Sequence, residues 1–263
     1  MSKFLGVARI EIKEMIAYKF EVLIWAILNP IIVGVYYFLW HAIYAYSEQT
    51  IIGGFTFEGL MCYYTLIFVV SIMTWTNVDQ ELAHRVRDGY LAVSLIRPLS
   101  IFKRFLYHKI SGTAFAFAAQ AIPLLVMGAV FFHLTTSATN LALFIISAIL
   151  AMILMFTFVF FVGLSSFWLT QYSGVRMLRS GAVWFLSGNI IPLSFFPASW
   201  QAVSSVLPFQ YMSYSPVQIF LGKYELAAAL SVIAIQLTWL FIILGLTVLG
   251  WRTALKRFSA VGQ

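Results

Sequence analysis

Charged residues and cysteine are what this sequence has least of. Only 10% of its 263 residues are charged, whereas 62% are hydrophobic, and the mean hydropathy is +0.93. Since charged residues make up about a quarter of a typical soluble domain, the few charges here cannot cover the surface of a water-soluble protein. The composition therefore predicts an integral membrane protein, because lipid can accommodate the apolar surface.

The sequence also lacks the usual signs of catalytic and metal sites. The single cysteine, Cys62, lies in an apolar run, which excludes a disulfide framework and paired cysteine ligands. The four histidines are scattered, and no phosphate-binding loop of the Gly-x-x-x-x-Gly-Lys-Ser/Thr type occurs. We therefore expect no catalytic residue, no metal site and no cofactor bound by this chain, so that any nucleotide-driven work must come from a partner protein.

Long apolar runs, in contrast, are abundant. A membrane-spanning helix needs about 20 mainly apolar residues, and six runs qualify, of which the fifth is the shortest. The sequence thus predicts an all-α integral membrane fold with six transmembrane helices in a single transmembrane domain, residues 1–263. The predicted spans are residues 20–44, 59–77, 105–132, 141–170, 180–196 and 226–250.

The basic residues lie around alternate connectors between these runs. Of the 16 Lys and Arg residues, 15 fall near the N-terminus, between the second and third runs or at the start of the third, between the fourth and fifth, or after the sixth; the exception is Lys223. Because positively charged loops stay in the cytosol, we expect both termini there, in a cytoplasmic (inner) membrane. Topology and anionic lipid headgroups account for the net charge of +7, so nucleic-acid binding is not expected.

Residues 3–19, before the first span, form the first of three irregular segments. Their apolar residues recur at helical spacing and their charged residues occupy other faces. This pattern predicts an amphipathic helix that lies in the cytosolic interface of the membrane. A simple extension of the first span is the alternative.

The second irregular segment is the charged connector after the second span, residues 80–98. Gly89 permits a backbone conformation that other residues resist, and Pro98 disfavours helix in the residue before it. A short helix projecting from the membrane suits contact with another protein, and a solvated loop is the alternative. The candidate contact residues are Glu81, Arg85, Arg87, Asp88, Gly89, Tyr90, Leu91 and Leu95.

The third irregular segment, residues 192–216, precedes the last span. It holds four of the seven prolines and is nevertheless strongly apolar. A continuous lipid-facing helix is not expected, because backbone groups freed by proline need partners in hydrocarbon. We expect short helices that re-enter the outer leaflet, with an ordinary long loop as the alternative. The prolines are Pro192, Pro197, Pro208 and Pro216.

Polar residues in the interior of the predicted spans are neutral, and ionisable residues such as Glu21 and Lys109 lie near the span ends. Ion channels and ion-coupled transporters usually place ionisable side chains at membrane depth, whereas this chain offers asparagine and glutamine there. Asn29, Trp75 and Asn189 are candidates for lining a translocation path, and helix packing is the alternative for such polar residues. A mainly apolar path suits an amphiphilic, lipid-linked or drug-like cargo better than an ion.

The order of these features resembles the permease subunits of type-2 ABC exporters, of the small stand-alone kind. The most specific motif is the connector, where Glu81, Gly89–Tyr90–Leu91, Leu95 and Pro98 are similar to the coupling helix of that family. The resemblance implies that this connector docks on a cytosolic ABC ATPase subunit, which binds ATP and Mg. It also implies a second permease copy or a sister permease, with the first, second and fifth spans lining the path and the outer segment capping its exit.

Two other functions stay open at this point. A secondary transporter or channel that needs no ATPase predicts a buried ionisable residue or an inverted repeat. A lipid-modifying enzyme predicts catalytic side chains that converge at a membrane interface, for which Asp79, Glu81 and His84 are the candidates.

Overall fold

The computed structural model describes residues 19–47, 49–96, 98–169 and 171–257. Within these ranges every regular element is a helix, apart from one isolated β-bridge between Ile52 and Phe55. The predicted interfacial helix, residues 3–19, lies outside the described residues except for Lys19, where the first helix begins. Arg97 of the charged connector also lies outside them.

Eleven α-helices follow one another in the described chain. A π-helical turn, Phe117–Ala121, joins the fifth to the sixth, and short 3₁₀ turns follow the seventh and flank the ninth. The helices are α1 Lys19–Ser47, α2 Phe57–Thr74, α3 Val78–Arg87, α4 Tyr90–Leu95, α5 Ile101–Ala116, α6 Ile122–Phe131, α7 Ala138–Gly163, α8 Ser173–Leu186, α9 Ala198–Val206, α10 Tyr214–Phe220 and α11 Leu226–Arg257.

Five stretches of the described chain are long and apolar enough to cross a membrane. They match the first, second, third, fourth and sixth of the predicted apolar runs and agree with an all-α membrane protein. The π-helical turn in the third stretch directly precedes Pro123, whose ring would crowd the preceding turn of a regular α-helix. The stretches are Val22–Ser47, Phe57–Arg87, Ile101–Phe131, Ala138–Phe167 and Leu226–Arg257.

The core of the bundle lies between α2 and α7. On α2, Leu60, Tyr63 and Tyr64 are wholly buried, as is Phe156 on α7. Helix α11 runs along α7, where the buried Gln236 Nε2 donates to the Ser147 carbonyl (3.1 Å) and Gln236 Oε1 accepts from the Ser147 hydroxyl (3.0 Å). Helix α1 is peripheral, and most of its large apolar side chains are exposed, as a lipid-facing helix requires.

The predicted fifth span, residues 180–196, is not a continuous helix. Helix α8, Ser173–Leu186, has only 14 residues. At roughly 1.5 Å per residue it rises about 21 Å, short of the roughly 30 Å thickness of the hydrocarbon core. The regular helix cannot continue, because Gly188 adopts a left-handed conformation with φ of 80°. Six spanning helices are therefore not confirmed: the described chain has five helices long enough to span a membrane, and residues 180–196 form part of a broken passage.

The broken passage, residues 173–196, runs along α2 from one end to the other. Its start is tied to Asp79, just beyond the carboxyl end of α2, by Arg179. Its far end is tied to the loop before α2, where the Ser194 hydroxyl donates to the Gly53 carbonyl at 2.7 Å. Between these points the chain crosses the bundle without a complete helix.

Hydroxyl groups of α2 satisfy the backbone of this passage. Tyr63 donates to the Gly188 carbonyl at 2.7 Å, and Tyr64 donates to the Ile190 carbonyl at 3.1 Å. An irregular backbone at membrane depth is stable only where protein groups replace the missing helical hydrogen bonds. The two tyrosines therefore explain why the passage can be broken here.

The proline-rich segment then folds back into the bundle and out again. The Ser204 hydroxyl of α9 donates to the Leu186 carbonyl, and the Tyr214 amide donates to the Ser187 carbonyl, so both contact the end of α8. Helix α10 leads away to Phe220, whose carbonyl accepts from Thr136 in the loop before α7. Re-entry into a lipid leaflet stays a prediction. Pro192, Pro197 and Pro208 precede short helical turns and Pro216 lies in the first turn of α10, where no helical amide is lost.

Candidate coupling site and its anchor

The charged connector folds into two helices, α3 and α4, that meet at Asp88 and Gly89. Gly89 has φ of 76°, in the left-handed region where a Cβ is unfavourable, so glycine permits the sharp turn. Helix α4 begins at Tyr90 directly after it and ends at Leu95, three residues before Pro98. The predicted short helix thus exists.

Several of the predicted contact residues make contacts between the helices of the connector and α5. The Arg85 guanidinium binds Glu81 Oε1 through Nε and Nη2, at 3.2 and 2.6 Å, and donates to the Ser94 hydroxyl at 3.2 Å. It also lies over the ring of Phe105 on α5, 5.2 Å from its centroid. Leu91 is wholly buried. Arg85 and Leu91 therefore fix α4 against α3 and α5 and do not offer an open surface.

Other predicted contact residues point outward from the turn and from α4. Arg87 and Asp88 form an exposed ion pair, with 3.1 Å between Arg87 Nε and Asp88 Oδ1. Tyr90 and Leu95 are exposed. Sequence reasoning missed two further apolar side chains on this surface, Val93 and Ile96, the latter 84% exposed. Their apolar character in a charged connector was the available signal. We call Tyr90, Val93, Leu95 and Ile96 the connector tip.

A buried charge pair anchors the beginning of α3. The Asp79 side chain is wholly buried, and its Oδ2 accepts from Arg179 Nη2 and from the Tyr172 hydroxyl, both at 2.8 Å. Nearby, Arg176 Nη1 donates to Gln80 Oε1 at 3.0 Å on the exposed side of the same contact. This group links α3 to α8 and to the residue before it.

Two further features belong to this anchor. Burial first, and then the neighbouring Asp79 carboxylate, raise the pKa of Tyr172 well above its ordinary value, so that its hydroxyl remains a donor. At Gly163, on the last turn of α7, a Cβ would lie 2.8 Å from the Asp79 Cα. Helix α3 therefore approaches the end of α7 as closely as the backbone allows.

The sequence offered Asp79 only as a candidate side chain of a lipid-modifying enzyme and did not predict its pairing with Arg179. Asp79 and Arg179 lie a hundred positions apart, and no local pattern pairs them. Arg176 and Arg179 lie three residues apart and therefore share one face of a helix, but this spacing does not identify their partners.

The three predicted path residues lie in different surroundings. Asn29 is buried and its Nδ2 donates to Gln120 Oε1 at 3.3 Å, which joins α1 to the π-helical turn. Asn189 Oδ1 accepts from the Ser71 hydroxyl at 3.3 Å. Both contacts fit the helix-packing alternative. Trp75 is exposed and borders a cavity at the end of α2. A path role stays a prediction for all three.

Comparison with protein families matches residues 31–262 to the ABC-2 family transporter protein. This match covers most of the chain, including the connector and the broken passage. The chain belongs to the ABC-2 transporter family. Comparisons with curated proteins and with solved structures found no significant match.

Family membership confirms the resemblance drawn from the connector and makes the chain a multi-pass membrane protein of the permease type. An ABC-2 permease is a transmembrane subunit and is not itself catalytic. The family implies partnership with an ABC ATPase and usually a dimer. The connector of this ABC-2 protein is therefore the first place to look for the ATPase contact.

Proposed function

We propose that this ABC-2 protein is the transmembrane subunit of an ATP-driven exporter, and that its α3–α4 connector docks on a separate cytosolic ATPase. The observation that carries the proposal is the connector tip, in which apolar side chains are exposed on a helix pair that is rigid inside. Exposed aromatic and aliphatic side chains surrounded by charged residues suit a protein interface. The Arg87–Asp88 pair supplies charged groups at the edge of this surface.

The Asp79–Arg179 anchor gives the docked connector a route into the membrane domain. Movement of a docked connector shifts α3, and the buried charge pair together with the close contact at Gly163 transmits this shift to α8 and α7. Helix α8 begins the broken passage along α2, so a shift of α8 reaches the part of the chain that crosses the bundle without a complete helix. Rigid elements joined in this way convert a movement at one end into a rearrangement at the other.

The proposed cargo is an amphiphilic, lipid-linked or drug-like molecule that passes between two permeases. Support comes from the neutral polar residues in the spans and from the apolar surfaces of α1 and α11. In the proposed arrangement the connector and both termini face the cytosol, ATP and Mg are bound by the ATPase, and the second permease is another copy or a sister chain. An ATPase-independent transporter is the competing function, and the family match disfavours it.

Co-purification of the tagged chain from its native membranes tests the docking proposal. The informative variants are Tyr90→Glu and Ile96→Glu, which place a charge on exposed positions of the connector tip. Arg85 and Leu91 are poor choices, because their replacement disturbs the inside of the connector. The matched control is Thr253→Glu, which adds the same charge to an exposed position near the end of α11, at the same end of the bundle.

We expect an ABC ATPase to accompany the wild type and the Thr253→Glu variant, and to be lost from both connector-tip variants. Gel filtration must show that the variants remain monodisperse. Retention of the ATPase by both variants would show that the ATPase contact does not lie at the connector tip. If no ATPase accompanies abundant wild-type protein even after mild crosslinking, the ATPase-independent alternative becomes the better one.

A further inference from the structure

A cavity of about 500 Å³ opens where α2 ends and α3 begins, beside α5. Its volume lies within the range of roughly 300–1,000 Å³ that is typical of small-molecule sites. The lining is mixed. Ile72, Phe105 and Phe156 contribute apolar surface, and His84, His108 and Lys109 are among its polar residues.

Lys109 is the charged group that makes this cavity unusual. Its Nζ donates to the Trp75 carbonyl at 2.6 Å, but an ammonium group has three donors. In the described part of the chain the ion pairs are Arg85–Glu81, Arg87–Asp88 and Arg179–Asp79, and none of them includes Lys109.

The carboxylate nearest to this lysine in the lining is already paired. Glu81 is the one carboxylate among the described lining residues, and the Arg85 guanidinium binds it at 2.6 Å. Lys109 therefore offers its remaining N–H donors to a space that no free carboxylate shares among those residues. An anion is the complementary ligand.

We propose that this cavity binds the anionic headgroup of a membrane amphiphile, a phosphate or a carboxylate, through Lys109. The acyl part lies against the apolar side chains of Ile72, Phe105 and Phe156. An amphiphile fits better than a soluble anion, because the cavity combines a lysine with apolar side chains at the end of a spanning helix, where lipid headgroups are found. Lipid from the cytosolic leaflet is the source when the chain has its proposed orientation. The inference rests on the proposed function for that orientation only, since binding itself needs no ATPase.

Lys109 has a competing structural role. It donates to the carbonyl of Trp75, the residue directly after α2, and so caps the carboxyl end of that helix. The two roles differ in what a charge-conserving replacement does to binding. The two roles also predict different ligand binding in Ala116→Phe, which fills the cavity and leaves Lys109 in place, since Ala116 lines the cavity. A role in capping alone predicts unchanged ligand binding in that variant, whereas a binding site in the cavity predicts its loss.

Binding is measured on the detergent-solubilised full chain by native mass spectrometry, with three probes. These are dioctanoyl phosphatidylglycerol, dioctanoyl phosphatidylcholine and glycerol phosphate. The variants are Lys109→Gln, Lys109→Arg and Ala116→Phe. The matched control is Lys103→Gln, which removes an exposed cation from the same helix outside the cavity lining.

We expect the wild type to bind phosphatidylglycerol more tightly than either other probe. Lys109→Gln weakens binding about tenfold or more, as expected for loss of a hydrogen bond to a charged group, whereas Lys103→Gln changes it less than about twofold. Lys109→Arg retains binding and Ala116→Phe abolishes it. Equal binding of phosphatidylcholine or of glycerol phosphate would overturn the proposal, as would equal losses in the two Lys→Gln variants.

If Lys109→Gln does not yield folded protein, Ala116→Phe decides alone, and unchanged binding in that variant refutes the site. The result is separate from the docking test. The chain can bind an anionic amphiphile without an ATPase partner, and it can recruit an ATPase with this cavity empty.

Discussion

Removal of Arg179 alone should destabilise this protein far more than removal of Arg176, although both arginines lie on α8 and both contact α3. In an Arg179→Met variant, Asp79 keeps a wholly buried carboxylate and loses the arginine that pairs with it, with the Tyr172 hydroxyl left as a donor. Breaking a buried pair in this way costs about 3–5 kcal/mol. The Arg176 contact with Gln80 is exposed, and such contacts contribute about 0–1 kcal/mol.

The measurement is the temperature at which half of the detergent-solubilised protein is lost from the monodisperse gel-filtration peak. At roughly 2–4 °C per kcal/mol for a chain of this size, the Arg179→Met variant should fall by about 6–20 °C. The Arg176→Met control should fall by no more than about 4 °C.

A double variant separates the charge pair from the packing of the arginine stem. Asp79→Asn together with Arg179→Met removes both charges, and the cost of an unpaired buried carboxylate disappears. We expect the double variant to recover most of the stability lost by Arg179→Met. Equal losses of thermal stability in Arg176→Met and Arg179→Met would refute the idea that this buried pair anchors α3. A double variant less stable than Arg179→Met alone would refute it as well.

Three further changes can be judged by the same heating assay. Gly163→Ala places a Cβ 2.8 Å from the Asp79 backbone, so overpacking should cost about 1–3 kcal/mol; unchanged stability would mean that α3 can shift freely. Tyr63→Phe removes the 2.7 Å hydrogen bond to the buried Gly188 carbonyl and should cost about 1–3 kcal/mol; no loss would point to another donor. Gly89→Ala should cost about 1–2 kcal/mol at a φ of 76°, with Gly89→Asn milder; an equal loss in both would contradict this conformational reason.

Most of the membrane-crossing helices could be predicted because their apolar runs are long and uninterrupted. The run at 180–196 is the shortest of the six, but its length alone does not show where its helix ends. What ends its helix is the conformation of Gly188, and what makes the break stable is a pair of hydroxyl groups from Tyr63 and Tyr64. Both are tertiary facts, which a hydropathy window does not register.

The short helix and the turn of the connector were predicted, but the packing inside the connector was not. The turn at Gly89 followed from its conformational freedom and the end of α4 from Pro98. Six-residue helices such as α4 are too short for periodicity to tell which face is buried. The sequence therefore could not separate Leu91, which is buried, from Ile96, which is exposed. The pairing of Asp79 with Arg179 joins distant parts of the chain and has no local signature.

The broken passage has a consequence for how this protein is made. A complete helix can leave the translocation machinery alone, because it satisfies its own backbone, whereas residues 187–191 depend on Tyr63 and Tyr64 of an earlier helix. The early helix must therefore already stand in the bilayer when the later segment arrives. Because α2 is synthesised more than a hundred residues earlier than this segment, its tyrosine hydroxyls are available as donors when the segment enters the membrane. A circular permutant that places α8 before α2 should accumulate as an uninserted, protease-sensitive chain, even though its final set of contacts is the same.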